Sequence, residues 1–137
     1  MSVIAKRLAA AELEFDHKDD YLRMYIIMVK ELEMSPGKLA AQAAHIAQET
    51  ILLTPEHIIA EYRGNGMGTK LMLKGKRKDI YHISELATNQ GIICGIGCDR
   101  GHILPPHFDG SPVITGIGLL MTKEQSKEYI KRFSFIQ

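Results

Sequence analysis

Four side chains in this chain have types and spacing that chemistry could use: Lys38, Gln42, His45 and Asp99. Three fall in the run Met34-Ser35-Pro36-Gly37-Lys38-Leu39-Ala40-Ala41-Gln42-Ala43-Ala44-His45. At about 100° per residue, Lys38, Gln42, His45 and Glu49 share a helical stripe roughly 60° wide. Leu39, Ala43, Ile46 and Ala47 take the other side. Such a helix buries one face and aims a cation, an amide and an imidazole from the other, groups that in general hold anions and move protons. Asp99 follows the run Ile92-Ile93-Cys94-Gly95-Ile96-Gly97-Cys98. Ligands in α/β folds gather at such carboxyl ends of strands.

The elements that must position these groups are legible. Ser35 is an N-cap and Pro36 suits the first helical position, so a helix runs from about Pro36 to about Leu53. Thr54-Pro55 breaks it, and a shorter helix follows over His57–Arg63. Before it, residues 24–30 read as a strand buried on both faces. Further strands are expected over Thr69–Lys74, Ile92–Cys98 and Val113–Leu120, and further helices over Asp79–Asn89 and Lys123 to about Phe133. Residues 103–110 read as a loop, and Cys94 and Cys98 as buried free thiols on one strand face. At the start, Ile4, Leu8, Ala11 and Phe15 recur at helical spacing ahead of a polar connector, His17 to Asp20. That helix is expected to dock on the domain or on a second subunit. The whole predicts an α/β fold: a small four-stranded mixed sheet with helices on both faces (three layers, α/β/α), over residues 23–137, preceded by an N-terminal helical extension over 1–22.

Composition narrows the class. The chain has 137 residues, enough for one domain with a proper core. No apolar run approaches the roughly 20 residues of a membrane span, so no membrane partner is expected. Two cysteines and no secretory pattern point to a reducing, cytoplasmic setting and to neither a disulfide framework nor a metal site. Net charge is only +1, so polyanion binding must come from local clustering. One cluster exists: Arg63, Lys70, Lys74, Lys76, Arg77 and Lys78 occupy 62–78 without an acidic residue. The glycine-rich turn at 64–68 lacks the phosphate-loop order, since Thr69 precedes Lys70. Gly95-Ile96-Gly97 falls inside an expected strand, whereas a dinucleotide fingerprint needs its glycines in the turn opening a helix.

The run from Met34 to His45 resembles the signature of the second, archaeal and eukaryotic family of peptidyl-tRNA hydrolases, Met-x-x-Gly-Lys-x-Ala-Ala-Gln-x-x-His-Ala, with Ile46 at the last position. Asp99-Arg100-Gly101 resembles the start of the family's Asp-Ala-Gly-x-Thr-Gln, and Gly110 to Gly118 its following Gly-Thr-x-Thr-Val-x-x-Ile-Gly. The order of elements agrees over about residues 24–131. The family's Thr-Gln pair falls on Ile103-Leu104, and the loop to Gly110 is about two residues longer.

The resemblance implies hydrolysis of the ester joining a peptidyl group to the 3′ ribose of tRNA, with no metal and no cofactor. It implies that Asp99 orients water and that Lys38 stabilises the oxyanion or a terminal phosphate. Gln42 would hold the carbonyl or the terminal adenosine, and His45 would donate to Asp99 or act as base. Gly37, Arg63, Lys70, Lys74, Lys76, Arg77, His102 and Ser111 become candidates for substrate binding. The basic stretch would follow the phosphates of the acceptor stem, and His102 and His107 would replace the missing Thr-Gln pair. A homodimer is implied as possible. The alternative is a catalytically impaired module on the same fold that binds tRNA or another polyanion, motivated by Ile103-Leu104 beside the retained basic stretch.

Overall fold

The computed structural model describes residues 1–14, 20–64 and 66–137; Phe15, the connector residues His17 to Asp19 and Asn65 are among those outside the described residues. Helix α1 spans Val3–Glu14, β1 Arg23–Val29, α2 Pro36–Leu52 and α3 Glu56–Tyr62. Strand β2 spans Lys70–Gly75, α4 Arg77–Asn89, β3 Cys94–Asp99, β4 Ile103–Leu104 and β5 Phe108–Asp109. Then come β6, Val113–Met121, α5, Lys123–Ser126, and β7, Ser134–Phe135.

The main sheet has the order β3-β6-β1-β2-β7. Strands β1 and β2 are parallel; β6 lies antiparallel between β1 and β3. The mixed α/β sheet is as expected, but it has five strands rather than four, because β7 adds an antiparallel edge to β2 through Leu73↔Phe135 and Lys74↔Ser134. A two-residue strand is too short to leave an alternation in the sequence.

The sheet carries helices on both faces. In β1, Tyr25, Ile27 and Val29 pack with Ile80, Ile83 and Ala87 of α4, while Met24, Ile26 and Met28 pack with Ala43 and Ile46 of α2. This two-sided burial is why the strand reads as an unbroken apolar run.

Four local expectations are corrected. The last helix stops at Ser126, and the chain goes on through i→i+3 turns such as Tyr129 N–H to Ser126 O (2.9 Å) and Phe133 N–H to Ile130 O (3.1 Å). Residues 103–110 hold a two-stranded ribbon, Ile103↔Asp109 and Leu104↔Phe108. Cys98 is exposed rather than buried; it lies on β3, an edge strand of the sheet. Cys94 is half-buried, and burial pushes its thiol up to about 11. The apolar residues Val3, Ile4, Leu8 and Leu13 of α1 are exposed, so this helix does not bury them on the rest of the chain.

Candidate active site

The site is built where the start of α2 meets the end of β3. Ser35 caps α2, its Oγ accepting from Lys38 N–H at 3.4 Å, and Pro36 occupies the first turn. That cap fixes where the helix begins, and therefore how far Lys38 lies from the sheet.

What brings α2 down onto the sheet is a bed of four glycines. Gly95 of β3 is paired with Gly118 of β6, and Gly97 with Gly116. A Cβ at Gly95 or Gly118 would meet Thr50, one at Gly97 would meet Ile46, and one at Gly116 would meet the Ile27 carbonyl of β1 as well as Ile46. Thr50 and Ile46 are fully buried residues of α2. The helix thus rests on bare backbone across two strands, a close approach that side chains there would forbid. These are the glycines of the Gly95-Ile96-Gly97 run; they lie within a strand and serve helix packing.

With the helix this close, Lys38 Nζ donates to Asp99 Oδ2 at 2.6 Å, although 61 positions separate the two in the chain. The side chains are 15% and 17% exposed, which leaves one open side. Among the described residues Asp99 Oδ1 has no hydrogen-bond partner, so that oxygen remains an acceptor for a water.

Sequence reasoning missed two neighbours. The first is Phe108, 4% exposed, whose ring centroid lies 4.6 Å from Lys38 Nζ. His102 meets the Phe108 ring edge-on, with 5.4 Å between ring centroids and 87° between their planes. The ribbon β4–β5 therefore seats an aromatic face against the lysine, while Ile103 and Leu104, at the Thr-Gln positions, are exposed. The signal was a lone phenylalanine in an apparent loop, which nothing nearby distinguishes. The second is Thr115, fully buried, which donates from Oγ1 to Gln42 Oε1 at 2.9 Å. Thr115 reaches Gln42 because the β3–β6 register slips between Gly97 and Cys98: Gly97 pairs with Gly116, but Cys98 pairs with Ile114. The skipped residue is Thr115, turned towards α2 by this bulge.

The expected stripe on α2 is split. Gln42 is 4% exposed and bonded under the helix, whereas His45 is exposed, seven residues beyond Lys38, which is about 10 Å along the axis. No hydrogen bond joins His45 to Asp99; the carboxylate's partner is Lys38. His107 pairs with Glu33 at 3.5 Å and His102 meets the Phe108 ring; neither loop histidine hydrogen-bonds Lys38 or Asp99. Ser111 bonds Asp109 within its own turn at 2.9 Å, which holds the Asp109 carboxyl below its usual range. Gly37 has open space where a Cβ would stand.

The basic candidates fall at both ends of β2. Lys74 and Lys76 lie at its carboxyl end, on the same sheet edge as Asp99, and Arg77 opens α4. Lys70 lies at the other end beside Tyr62, about 17 Å away by strand rise, with Arg63 near it. Desolvation and the Arg63 charge both lower the Lys70 pKa. On the Asp99 edge Lys78 of the same stretch joins Lys74 and Lys76, and the fold adds Lys30 and Arg132, around a concavity of about 340 Å³ in which Arg132 pairs with Asp79 at 3.4 Å. From β3 to β2 is three strand spacings, about 14 Å.

The family model described as peptidyl-tRNA hydrolase PTH2 matches residues 22–134. The chain belongs to this family. Proteins named peptidyl-tRNA hydrolase from two strains of Halobacterium salinarum are each 30% identical to it over 99 residues, which is 71% of this chain and 85% of theirs. The protein of that name from Haloquadratum walsbyi is 26% identical over 81 residues, 59% of this chain and 72% of its own. All four candidate catalytic residues lie inside the matched span. Among the described residues no helix is long and apolar enough to cross a membrane.

The Phe108 contact carries its own expectation. A cation over an aromatic face is worth about 0.5–2 kcal/mol, so Phe108→Leu, which keeps an apolar side chain but loses the ring, should destabilise the fold by about that amount. Melting curves of the two proteins provide the check.

Proposed function

We propose that this chain hydrolyses the ester of peptidyl-tRNA, releasing peptide and tRNA in the cytoplasm. The observation that carries the reading is the 2.6 Å contact between Lys38 and Asp99, both within the span matched to the hydrolase family. Asp99 accepts from the attacking water through Oδ1 while Oδ2 holds Lys38. As the ester carbonyl becomes tetrahedral, its oxygen gains charge, and an ammonium at that point stabilises it. Gln42, its carbonyl fixed by Thr115, has its amide hydrogens left to donate to the substrate. Open space above Gly37 lets the substrate approach the start of α2. The concavity of Lys30, Lys74, Lys76, Lys78 and Arg132, roughly 14 Å along the same edge, takes phosphates of the acceptor stem.

The test is turnover of a labelled peptidyl-tRNA by the pure protein, as a function of salt. Each neutralised phosphate contributes about 0.7–0.9 to the slope of log affinity against log salt. Lys76→Ala should flatten that slope by about one and leave kcat in place. Absence of turnover with tRNA still bound would overturn the catalytic reading.

A further inference from the structure

A second cleft lies around the end of β3 from the Lys38–Asp99 pair, between the start of α4 and the turn into β6. It encloses about 370 Å³, at the lower end of the roughly 300–1,000 Å³ usual for ligand pockets. Its floor is apolar, from Cys98 and Ile114, which pair across β3 and β6. Its rim carries Arg77, Tyr81 and His107.

Two observations give the cleft a ligand chemistry. Arg77 Nε is buried with no hydrogen-bond partner, and the guanidinium has no carboxylate among the described residues. Glu31, 46 positions earlier in the chain, reaches this helix start, but both its carboxylate oxygens accept from the Arg77 backbone N–H, at 2.9 and 3.1 Å. The acid that lines the cleft, Asp109, is turned into its own bend by Ser111. Tyr81 is 45% exposed. A flat aromatic surface, an unanswered guanidinium and an apolar floor together suit an unpaired nucleotide, with base on ring and phosphate on arginine.

Position narrows the choice of nucleotide. Cys98 in the cleft floor is the immediate chain neighbour of Asp99, and Val113, which pairs with Asp99, also lines the cleft. A strand whose terminal ester lies at Asp99 therefore passes the cleft within one nucleotide step. We infer that this cleft binds the unpaired nucleotide preceding the terminal adenosine of the tRNA 3′ end, through Tyr81 and Arg77. The inference rests on the hydrolase reading above, and it concerns residues outside the Lys38–Asp99 pair.

The experiment compares kcat/KM on peptidyl-tRNA with kcat/KM on peptidyl-adenosine, which has the ester but no preceding nucleotide. Stacking of one base is worth about 1–3 kcal/mol, so the preference for the longer substrate should fall roughly 10-fold in Tyr81→Ala and in Arg77→Gln, and persist in Tyr81→Phe. An unchanged ratio, including equal losses on both substrates, would overturn the subsite. A parallel titration of Asp99→Asn protein with the trinucleotide CCA reads the subsite without turnover. Binding weakened by Tyr81→Ala supports it even if the hydrolase reading fails; binding indifferent to Tyr81→Ala rejects it even if that reading holds.

Discussion

Asp99→Asn should cost roughly 10²–10⁴-fold in kcat on peptidyl-tRNA, the range of a lost proton-accepting group. The variant keeps shape and one acceptor oxygen but removes the charge that Lys38 answers at 2.6 Å. Lys38→Ala should cost roughly 10²–10³-fold, as removal of an oxyanion donor does. The two act through one contact, so the double variant should be little worse than the poorer single. Stability moves far less. Surface pairs contribute about 0–1 kcal/mol and breaking fully buried ones costs about 3–5 kcal/mol. A pair 15% and 17% exposed falls between, near about 2 kcal/mol. Single-turnover rates and melting curves on the same three proteins provide the check. An Asp99→Asn protein that retains more than about a tenth of the wild-type rate is incompatible with the water-orienting role.

Gly95→Ala should be strongly destabilising for a single added methyl. The added Cβ would stand 2.6 Å from both Cα and N of Thr50, which are backbone atoms that no rotamer change can remove. Either α2 lifts from the sheet or β3 bends. Overpacking of this kind costs about 1–3 kcal/mol and occasionally more; a rigid partner puts Gly95→Ala at the upper end. For a domain of this size that is a fall of about 10 °C in melting temperature. Activity should fall further than stability, since lifting α2 withdraws Lys38 from Asp99. Gly37→Ala is the contrast: its Cβ meets nothing, and alanine is the better helix former by roughly 0.5–1 kcal/mol. Gly37→Ala should melt no lower than wild type, yet raise KM if substrate occupies the space above it. Scanning calorimetry with parallel KM measurements tests both; equal melting temperatures for Gly95→Ala and wild type would remove the glycine bed as the device that sets the helix height.

The sequence by itself determined the order of elements, the cap at Ser35-Pro36, the break at Thr54-Pro55 and the mixed α/β sheet. It did so because those signals are local: a missing N–H, a side-chain acceptor three residues from an amide, a run apolar on both strand faces. It also put Lys38, Gln42, His45 and Asp99 forward as one group. Only the tertiary structure decided which of them meet. The stripe on α2 was legible, but not the angle at which the helix lands, so Gln42 is tucked under while His45 is left in the open. That landing depends on glycines paired across two strands and on a one-residue slip in register that turns Thr115 to Gln42. A slip of register leaves no mark in composition or periodicity, because each strand still alternates normally on either side of it. Phe108 was hidden for a related reason: its contact with Lys38 crosses 70 positions of chain, and only the pairing of β4 with β5 brings the ring round. The basic stretch marks the limit of reading in one dimension. A strand separates its two ends, and Lys30 and Arg132, far away in the chain, complete the half that shares an edge with Asp99.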